Sequence, residues 1–259
     1  MRVSLLVILL FCFSPLLYNQ QLVWQKEIIA DKLYVDPLEK VYTVKGSVVD
    51  KYSAKGAFIQ TYNNLAYGDI HSLDTRNALQ TMVFYKDQQQ IVMLDNMLGE
   101  TNQIDLSESF EWIDLACLSN RDDSFWFYSS IDQSIIKVND QLNTQLKTKN
   151  IAQLLSVDLS PTQLIEYNET LYLWDEENGL FLFDLFGNFK KKIPLKDKKK
   201  VQITEKGVVF NTETNIDLFN TQTFDYSNLF KESVLLIDFW VSKGSIYLLN
   251  KEKLIKYER

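Results

Sequence analysis

A short apolar strand, a polar turn and a second apolar strand recur six times along the chain, and this repeat limits what it can fold into. The copies are Val41–Val44 with Val48–Tyr52, Met82–Tyr85 with Gln90–Leu94, and Phe125–Tyr128 with Ile135–Val138. They continue with Leu171–Trp174 and Leu180–Phe183, Val208–Phe210 and Ile216–Phe219, and Ile246–Leu249 and Leu254–Tyr257. Strand length and turn residues make each pair a β-hairpin. Beyond the N-terminal segment, no stretch of ten or more residues carries a clean helical period.

The last apolar residue of each second strand is Tyr52, Leu94, Val138, Phe183, Phe219 and Tyr257, advancing by 42, 44, 45, 36 and 38 residues, a mean of 41. A period of about 40 to 45 residues with several strands per unit marks β-propeller blades. A β-sandwich would place strands every 8 to 12 residues with no long-range period. The expected fold is therefore all-β, a six-bladed β-propeller with about four strands per blade. The turn after the anchor repeats as well, in Tyr52-Ser53-Ala54-Lys55-Gly56, Leu94-Asp95-Asn96-Met97-Leu98-Gly99 and Phe183-Asp184-Leu185-Phe186-Gly187. The sixth unit stops after its third strand, at Tyr257, while Leu22 to Ile28 is a strand-like stretch surplus to the first unit. That segment is expected to pair with Leu254 to Tyr257 as the fourth strand of the last blade, burying Val23, Trp24 and Ile28 and leaving no open edge.

The stretch Val35-Asp36-Pro37-Leu38-Glu39-Lys40-Val41-Tyr42-Thr43-Val44, followed by Val49-Asp50-Lys51-Tyr52-Ser53-Ala54-Lys55-Gly56, resembles the six-bladed propellers of the NHL, YVTN and quinoprotein-like group. The segment Val83 to Asn96 is similar to secreted bacterial propellers. The resemblance covers nearly the whole chain after the N-terminal segment and implies the fold far more than an activity. Asn and Asp stand in turns where such blades usually carry glycine.

Met1-Arg2, the apolar run Val3 to Phe13 and Ser14-Pro15 read as a secretory signal peptide. Pro15 and Asn19 to Gln21 end the run short of the roughly 20 apolar residues that a transmembrane anchor needs. The expected organisation is a signal peptide over 1–19 and one propeller domain over 20–259. Cys12 opens the alternative of a lipid-modified N-terminus, although Leu10-Phe11 precede it where small residues belong. Loss of Cys12 leaves Cys117 alone, so no intramolecular disulfide is expected. Periplasmic, outer-membrane-associated and secreted locations all fit.

The 27 basic and 34 acidic residues give a net charge of −7, which argues against a nucleic-acid partner. The 8 glycines are never closer than eight residues apart, so no phosphate-binding glycine loop exists. His71 is the one imidazole, on an apolar-flanked strand that suits packing better than catalysis. Cys117, in Ile113-Asp114-Leu115-Ala116-Cys117-Leu118, reads as a small core residue. One carboxylate constellation remains: Asp36, Asp74, Asp114, Glu166 and Asp238 each lie on or beside the first strand of a unit. First strands line a propeller's axial channel, so these groups are candidates to bind calcium or act as acid and base there. The competing reading is that each caps a nearby backbone at a strand end. The turn Asp175-Glu176-Glu177-Asn178-Gly179 lacks calcium-loop spacing and reads as a hairpin turn.

The run Lys190, Lys191, Lys192, Lys196, Lys198, Lys199 and Lys200 places seven lysines in eleven residues of an acidic chain. It is a solvated connection between units or a contact for an anionic surface such as lipid headgroups. Trp112, Trp126, Trp174 and Trp240 are expected mostly as wedges between blades. The function expected is an exported, non-enzymatic, monomeric propeller of the bacterial cell envelope that binds a protein or glycan, with no cofactor. The alternative resembles metal-dependent lactonases or glutaminyl cyclotransferases, a propeller hydrolase or cyclotransferase working through the axial carboxylates.

Overall fold

Each of the six repeated hairpins forms the second and third strands of a four-stranded antiparallel sheet. The computed structural model describes residues 20–258 except 121–122, 196–197, 199, 213–214 and 232–234, so the N-terminal apolar run and Cys12 lie outside the described residues. Among the described residues the strands form six four-stranded sheets, the blades. The inner strands of blades 1 to 6 are Lys32–Val35, Ser72–Asn77, Leu115–Leu118, Pro161–Tyr167, Val201–Thr204 and Asp238–Ser242. They contact one another around a central channel. The all-β six-bladed propeller read from the repeat is the observed fold.

The middle strands carry near-continuous apolar runs because both their faces are covered. Met82 to Tyr85 and Ile91 to Leu94 are buried without alternation, since each blade packs against a neighbour on either side. The core is accordingly six slabs between adjacent blades rather than one centre. Met82, Phe84 and Met93 of blade 2 meet Phe125, Phe127 and Val138 of blade 3. Trp126 and Trp174, both fully buried, fill the slabs between blades 3 and 4 and blades 4 and 5. Outer strands, such as Glu100–Asp105, are mostly exposed and polar, which is why no apolar signal marks them in the sequence.

The repeated turn after the third strand has one geometry in five blades. A side-chain oxygen of Ser53, Asp95, Asn139, Asp184 or Asn220 accepts backbone N–H bonds from the residues two to four ahead. The turn needs one left-handed residue, supplied by Gly56 and Gly187 in blades 1 and 4. Leu98, Leu142 and Phe224 adopt it in blades 2, 3 and 5, at φ of 61° each. A short acceptor at the turn's start therefore carries the repeat even where glycine is absent.

Gln21–Glu27 pairs antiparallel with Lys253–Glu258, from Gln21 opposite Glu258 to Glu27 opposite Lys253, and completes blade 6. The ring closes between the two ends of the chain, as the surplus strand implies. The closing strand also reaches both neighbouring blades. Trp24 Nε1 donates to Ala54 O of blade 1 at 3.1 Å, with its ring packed over Gly56, and Gln20 Nε2 donates to Leu229 O of blade 5 at 2.6 Å. The expected burial of Val23 is corrected: it is 43% exposed, because the outermost strand lies at the circumference where blades diverge. Trp24 and Ile28 supply the apolar contact.

Truncation to Ala30 should lower unfolding stability by several kcal/mol, since it removes a six-pair ladder and opens the Trp24 contact. Trp24→Ala alone should cost about 2–4 kcal/mol, below a fully buried Trp because the ring is half-covered. Urea unfolding followed by far-UV circular dichroism checks both. Unchanged stability of the truncated chain would contradict closure as the seal of the ring.

Candidate functional site

The central channel encloses about 930 Å³ and is walled by the inner strands of all six blades. These strands are sheet edges: their axis-facing backbone groups have no ladder partner within the blade. Neighbouring inner strands diverge too far for regular pairing, so side chains bridge them.

Such a bridge occurs at every blade junction. Lys32 Nζ donates to Ile70 O at 2.9 Å, and Thr75 Oγ1 to Val35 O at 3.4 Å, between blades 1 and 2. The Asp74 carboxylate accepts Leu118 N–H at 2.9 Å, joining blades 2 and 3. Trp126 Nε1 of blade 3 donates to Glu166 Oε2 of blade 4 at 2.6 Å. Gln163 Oε1 accepts from Val201 N at 2.8 Å between blades 4 and 5. Gln202 makes a two-way amide clasp with Val241, both bonds 2.8 Å, between blades 5 and 6. Asp238 Oδ2 accepts from Leu33 N at 2.7 Å and closes blade 6 on blade 1.

Two cations span more than one junction. Arg76, the only arginine among the described residues, pairs with Asp74 and donates to Leu118 O and Glu166 O, tying blades 2, 3 and 4. Asp74 and Arg76 are two apart on one strand, so both side chains leave the same face. Burial opposes the Asp74 charge, but the Arg76 guanidinium and the Leu118 N–H hold its carboxyl below the usual range. Lys200 Nζ binds both Asp238 oxygens, at 2.7 and 2.9 Å, and Leu33 O at 3.0 Å. Its ammonium also lies 5.1 Å from the ring centroids of Tyr34 and Trp240 and 5.9 Å from Phe239. Arg76, Lys32, Gln163 and Gln202 were not legible as site residues. The one available signal was the Asp-x-Arg alternation at the start of the second unit.

Four of the five expected carboxylates, Asp36, Asp74, Glu166 and Asp238, line the channel. They do not meet at one mouth. Asp36 caps its own turn, accepting from Leu38 N, Lys40 N and the Tyr42 hydroxyl. Asp114 is not part of the channel wall. It lies at the blade 2–3 rim, paired with Lys86 at 2.9 Å and accepting from Ser130 N and Trp112 Nε1. Among the described residues no three His, Cys, Asp or Glu side chains are grouped to hold a metal ion. Asp175 caps the acidic hairpin turn through Glu177 N and Asn178 N. Cys117 is buried between blades 3 and 4, and burial pushes its thiol up to about 12, away from thiolate chemistry. His71 packs edge-on against Phe84, and burial lowers it to about 4, helped by the charges of Lys32 and Lys86.

The lysine run divides into parts with different surroundings, which corrects its reading as one connecting segment. Lys190, Lys191 and Lys192 belong to the outer strand of blade 4, Phe189–Ile193, and are exposed. Lys198 lies 5.3 Å over the Phe210 ring, and Lys200 turns inward to the channel. Lys196 and Lys199 fall outside the described residues. Elsewhere, Leu38, Leu79, Met97, Phe186 and Phe224 are each more than half exposed. All five sit in first-to-second or third-to-fourth strand turns, which share one face of the ring with Gln21 at the start of the closing strand.

No protein-family profile matches the sequence, and no curated protein is significantly similar to it. Solved structures share its fold. The WD40 domain of Pan2 from Neurospora crassa superposes with a TM-score of 0.65 at 6% identity, covering 92% of this chain and 95% of that one. A streptogramin B lyase gives 0.58 at 16% identity, covering 87% and 78%. Virginiamycin B lyase from Staphylococcus aureus gives 0.61 at 10% identity, covering 91% and 99%. At these identities the likeness is one of fold. It spans a WD40 domain and two lyases, and so leaves the choice between binding and catalysis to the site itself.

Lys200→Met should destabilise by about 3–5 kcal/mol, because it strands the Asp238 carboxylate without its cation. The combination Lys200→Met with Asp238→Leu should recover part of that loss. Lys190→Gln with Lys191→Gln should stay within about ±0.5 kcal/mol. Chemical denaturation separates the three. Equal effects of the inner and outer lysines would refute the division.

The depressed His71 pKa also sets a pH window. The folded state keeps this imidazole neutral down to about 4, whereas the unfolded chain takes up a proton below the ordinary histidine value of 6.5. Stability should therefore fall as pH drops from about 6.5 to about 4, and His71→Gln should flatten that part of the profile. Thermal melts across this range decide it.

Proposed function

We propose that the chain is an exported, non-enzymatic propeller of the bacterial cell envelope that binds a protein or glycan partner. One observation carries the non-enzymatic part: the channel charges that first suggest chemistry are committed to interblade bridges and turn caps. Asp74 is held by Arg76 and Leu118, Glu166 by Trp126, and Asp238 by Lys200 and Leu33. An acid–base pair needs groups free to exchange protons with a substrate. That weighs against the hydrolase or cyclotransferase reading and against a calcium site among these carboxylates.

Exposed apolar residues stand in the connections on both faces of the ring, Leu38, Leu79, Met97, Phe186 and Phe224 on one and Ile29, Leu65, Ile131, Leu154 and Leu235 on the other. Such side chains suit a protein partner. The exposed Lys190, Lys191 and Lys192 suit a short-range contact with an anionic surface. Export rests on the N-terminal sequence alone: Arg2, the apolar run and the stop at Pro15. Membership of the NHL, YVTN and quinoprotein-like group belongs to the same reading.

In the native host, mass spectrometry should find a chain beginning between Pro15 and Gln21 outside the cytoplasm. A cytoplasmic chain retaining Met1 to Phe13 would refute export. Partner capture from the envelope fraction should fall at least tenfold with Leu79→Ser, Phe186→Ser and Phe224→Ser combined, at unchanged melting temperature. Substrate turnover abolished by Glu166→Gln in an otherwise folded protein would overturn the binding reading in favour of an enzyme.

A further inference from the structure

The channel itself has recognition capacity beyond the bridges and the exposed turns, although the Lys200 ammonium already covers part of the Tyr34 and Trp240 rings. Tyr34 and Trp240 stand side by side on its wall, ring centroids 5.9 Å apart and planes tilted by 51°. Both are half-buried, so each shows part of its ring to the lumen. Around them the channel wall carries uncharged hydrogen-bonding groups: Ser72 and Thr162 toward one mouth, Gln163 on blade 4, and Ser242 toward the other mouth. Gln163 uses its carbonyl oxygen on Val201 N, and its amide NH₂ is the part left for a ligand.

Charge decides what such a lumen accepts. Glu205, Lys206 and Lys243 stand at one mouth, in the turns after the blade 5 and blade 6 inner strands. Inside the channel an anion would have to draw Arg76 from Asp74, Lys200 from Asp238 or Lys32 from the Ile70 and His71 carbonyls, and a cation would have to draw a carboxylate from Arg76 or Lys200. Either exchange breaks a bridge that holds blades together, at the cost already assigned to losing one partner of such a pair. An uncharged ligand meets no such penalty. It has to offer flat apolar faces for the two rings and many hydroxyls for the neutral side chains, and a pyranose does both. The volume of about 930 Å³ lies at the upper end of the range for ligand pockets, roughly 300 to 1,000 Å³, which suits several sugar units.

We infer that the central channel is a binding site for a short neutral oligosaccharide, stacked on Trp240 and Tyr34. This rests on the binding reading given above and assigns it a ligand class and a place. Aromatic rings supply rigid amphipathic area at little entropic cost, so Trp240 is the anchor and the neutral groups set orientation.

The test is titration of the purified protein with neutral β- and α-linked glucose, xylose and N-acetylglucosamine oligomers of two to six units. Uronic-acid oligomers of equal length serve as controls, and calorimetry and tryptophan fluorescence give the readout. At least one neutral series should bind saturably and change the fluorescence, with the acidic series at least tenfold weaker. Trp240→Ala should lower affinity at least tenfold, and Ser242→Trp, which fills the lumen, should abolish binding. Ile131→Ser, in an exposed turn between the second and third strands of blade 3 and away from the channel, should leave it unchanged. Should Trp240→Ala fail to fold, Ser242→Trp and Thr162→Trp decide the matter. No neutral binding, preference for the acidic series, or binding indifferent to the channel variants would overturn the inference, while partner capture through the exposed turns would still uphold the binding reading. Cleavage of a bound oligosaccharide would uphold the site and overturn the non-enzymatic reading.

Discussion

The structure depends on how six inner strands, each a sheet edge, are held around one axis. They splay too far apart to share ladder bonds, yet backbone groups buried there cannot be left unpaired without cost. Side chains that cross the junctions resolve this. Lys32, Asp74, Gln163, Gln202 and Asp238 each reach a backbone group of the next blade, and Glu166 takes the Trp126 indole N–H. A single such bond contributes about 0.5–1.5 kcal/mol net. One at every junction fixes the rotation of each blade relative to the next, which apolar slabs alone, being non-directional, specify less sharply.

Farther from the axis the same logic recurs with lysine and aromatic pairs. Tyr42 faces Lys51, Trp126 faces Lys137 and Tyr247 faces Lys256, each across the second and third strands of its blade. The ammonium groups lie 4.7 to 5.4 Å from the ring centroids. Lys51 goes on to Asn96 O of blade 2 at 2.8 Å and Lys256 to Glu39 of blade 1 at 3.1 Å. Burial, with the nearby Lys40 charge, lowers Lys51 to about 8 even so, and the Asp36 and Asp95 carboxylates oppose that shift. Long amphipathic side chains thus cover apolar surface with their stems and bridge blades with their heads.

The candidate site shows where sequence reasoning stops. Asp36, Asp74, Glu166 and Asp238 fall on or beside first strands, and these strands line the channel. Their roles were not legible, because those depend on partners 38 or more residues away: Leu118 for Asp74, Trp126 for Glu166, Lys200 and Leu33 for Asp238. Lys200 is the clearest case. In the sequence it is the seventh lysine of a basic run, and nothing local separates it from Lys190. In the fold it lies against Tyr34, Phe239 and Trp240, aromatics from blades 1 and 6.

The fold and its closure follow from short-range features of the chain. The apolar hairpins about every 41 residues, the Ser, Asp or Asn that opens the turn after the third strand in five blades and the spare strand at Leu22 to Ile28 are local patterns, set by strand alternation and turn chemistry within a few residues. The outer strands escaped, because Glu100 to Gln103 and their counterparts face water and carry no apolar period. Tertiary structure alone decided which charges are structural and which surface is free for a ligand. Ion pairing, desolvation and ring stacking act over a few ångströms in space, and the ring brings blades 5, 6 and 1 together only after the chain has turned through its full circle. Lys200 meets Asp238 there, and Tyr34 meets Trp240, across separations that no local pattern encodes.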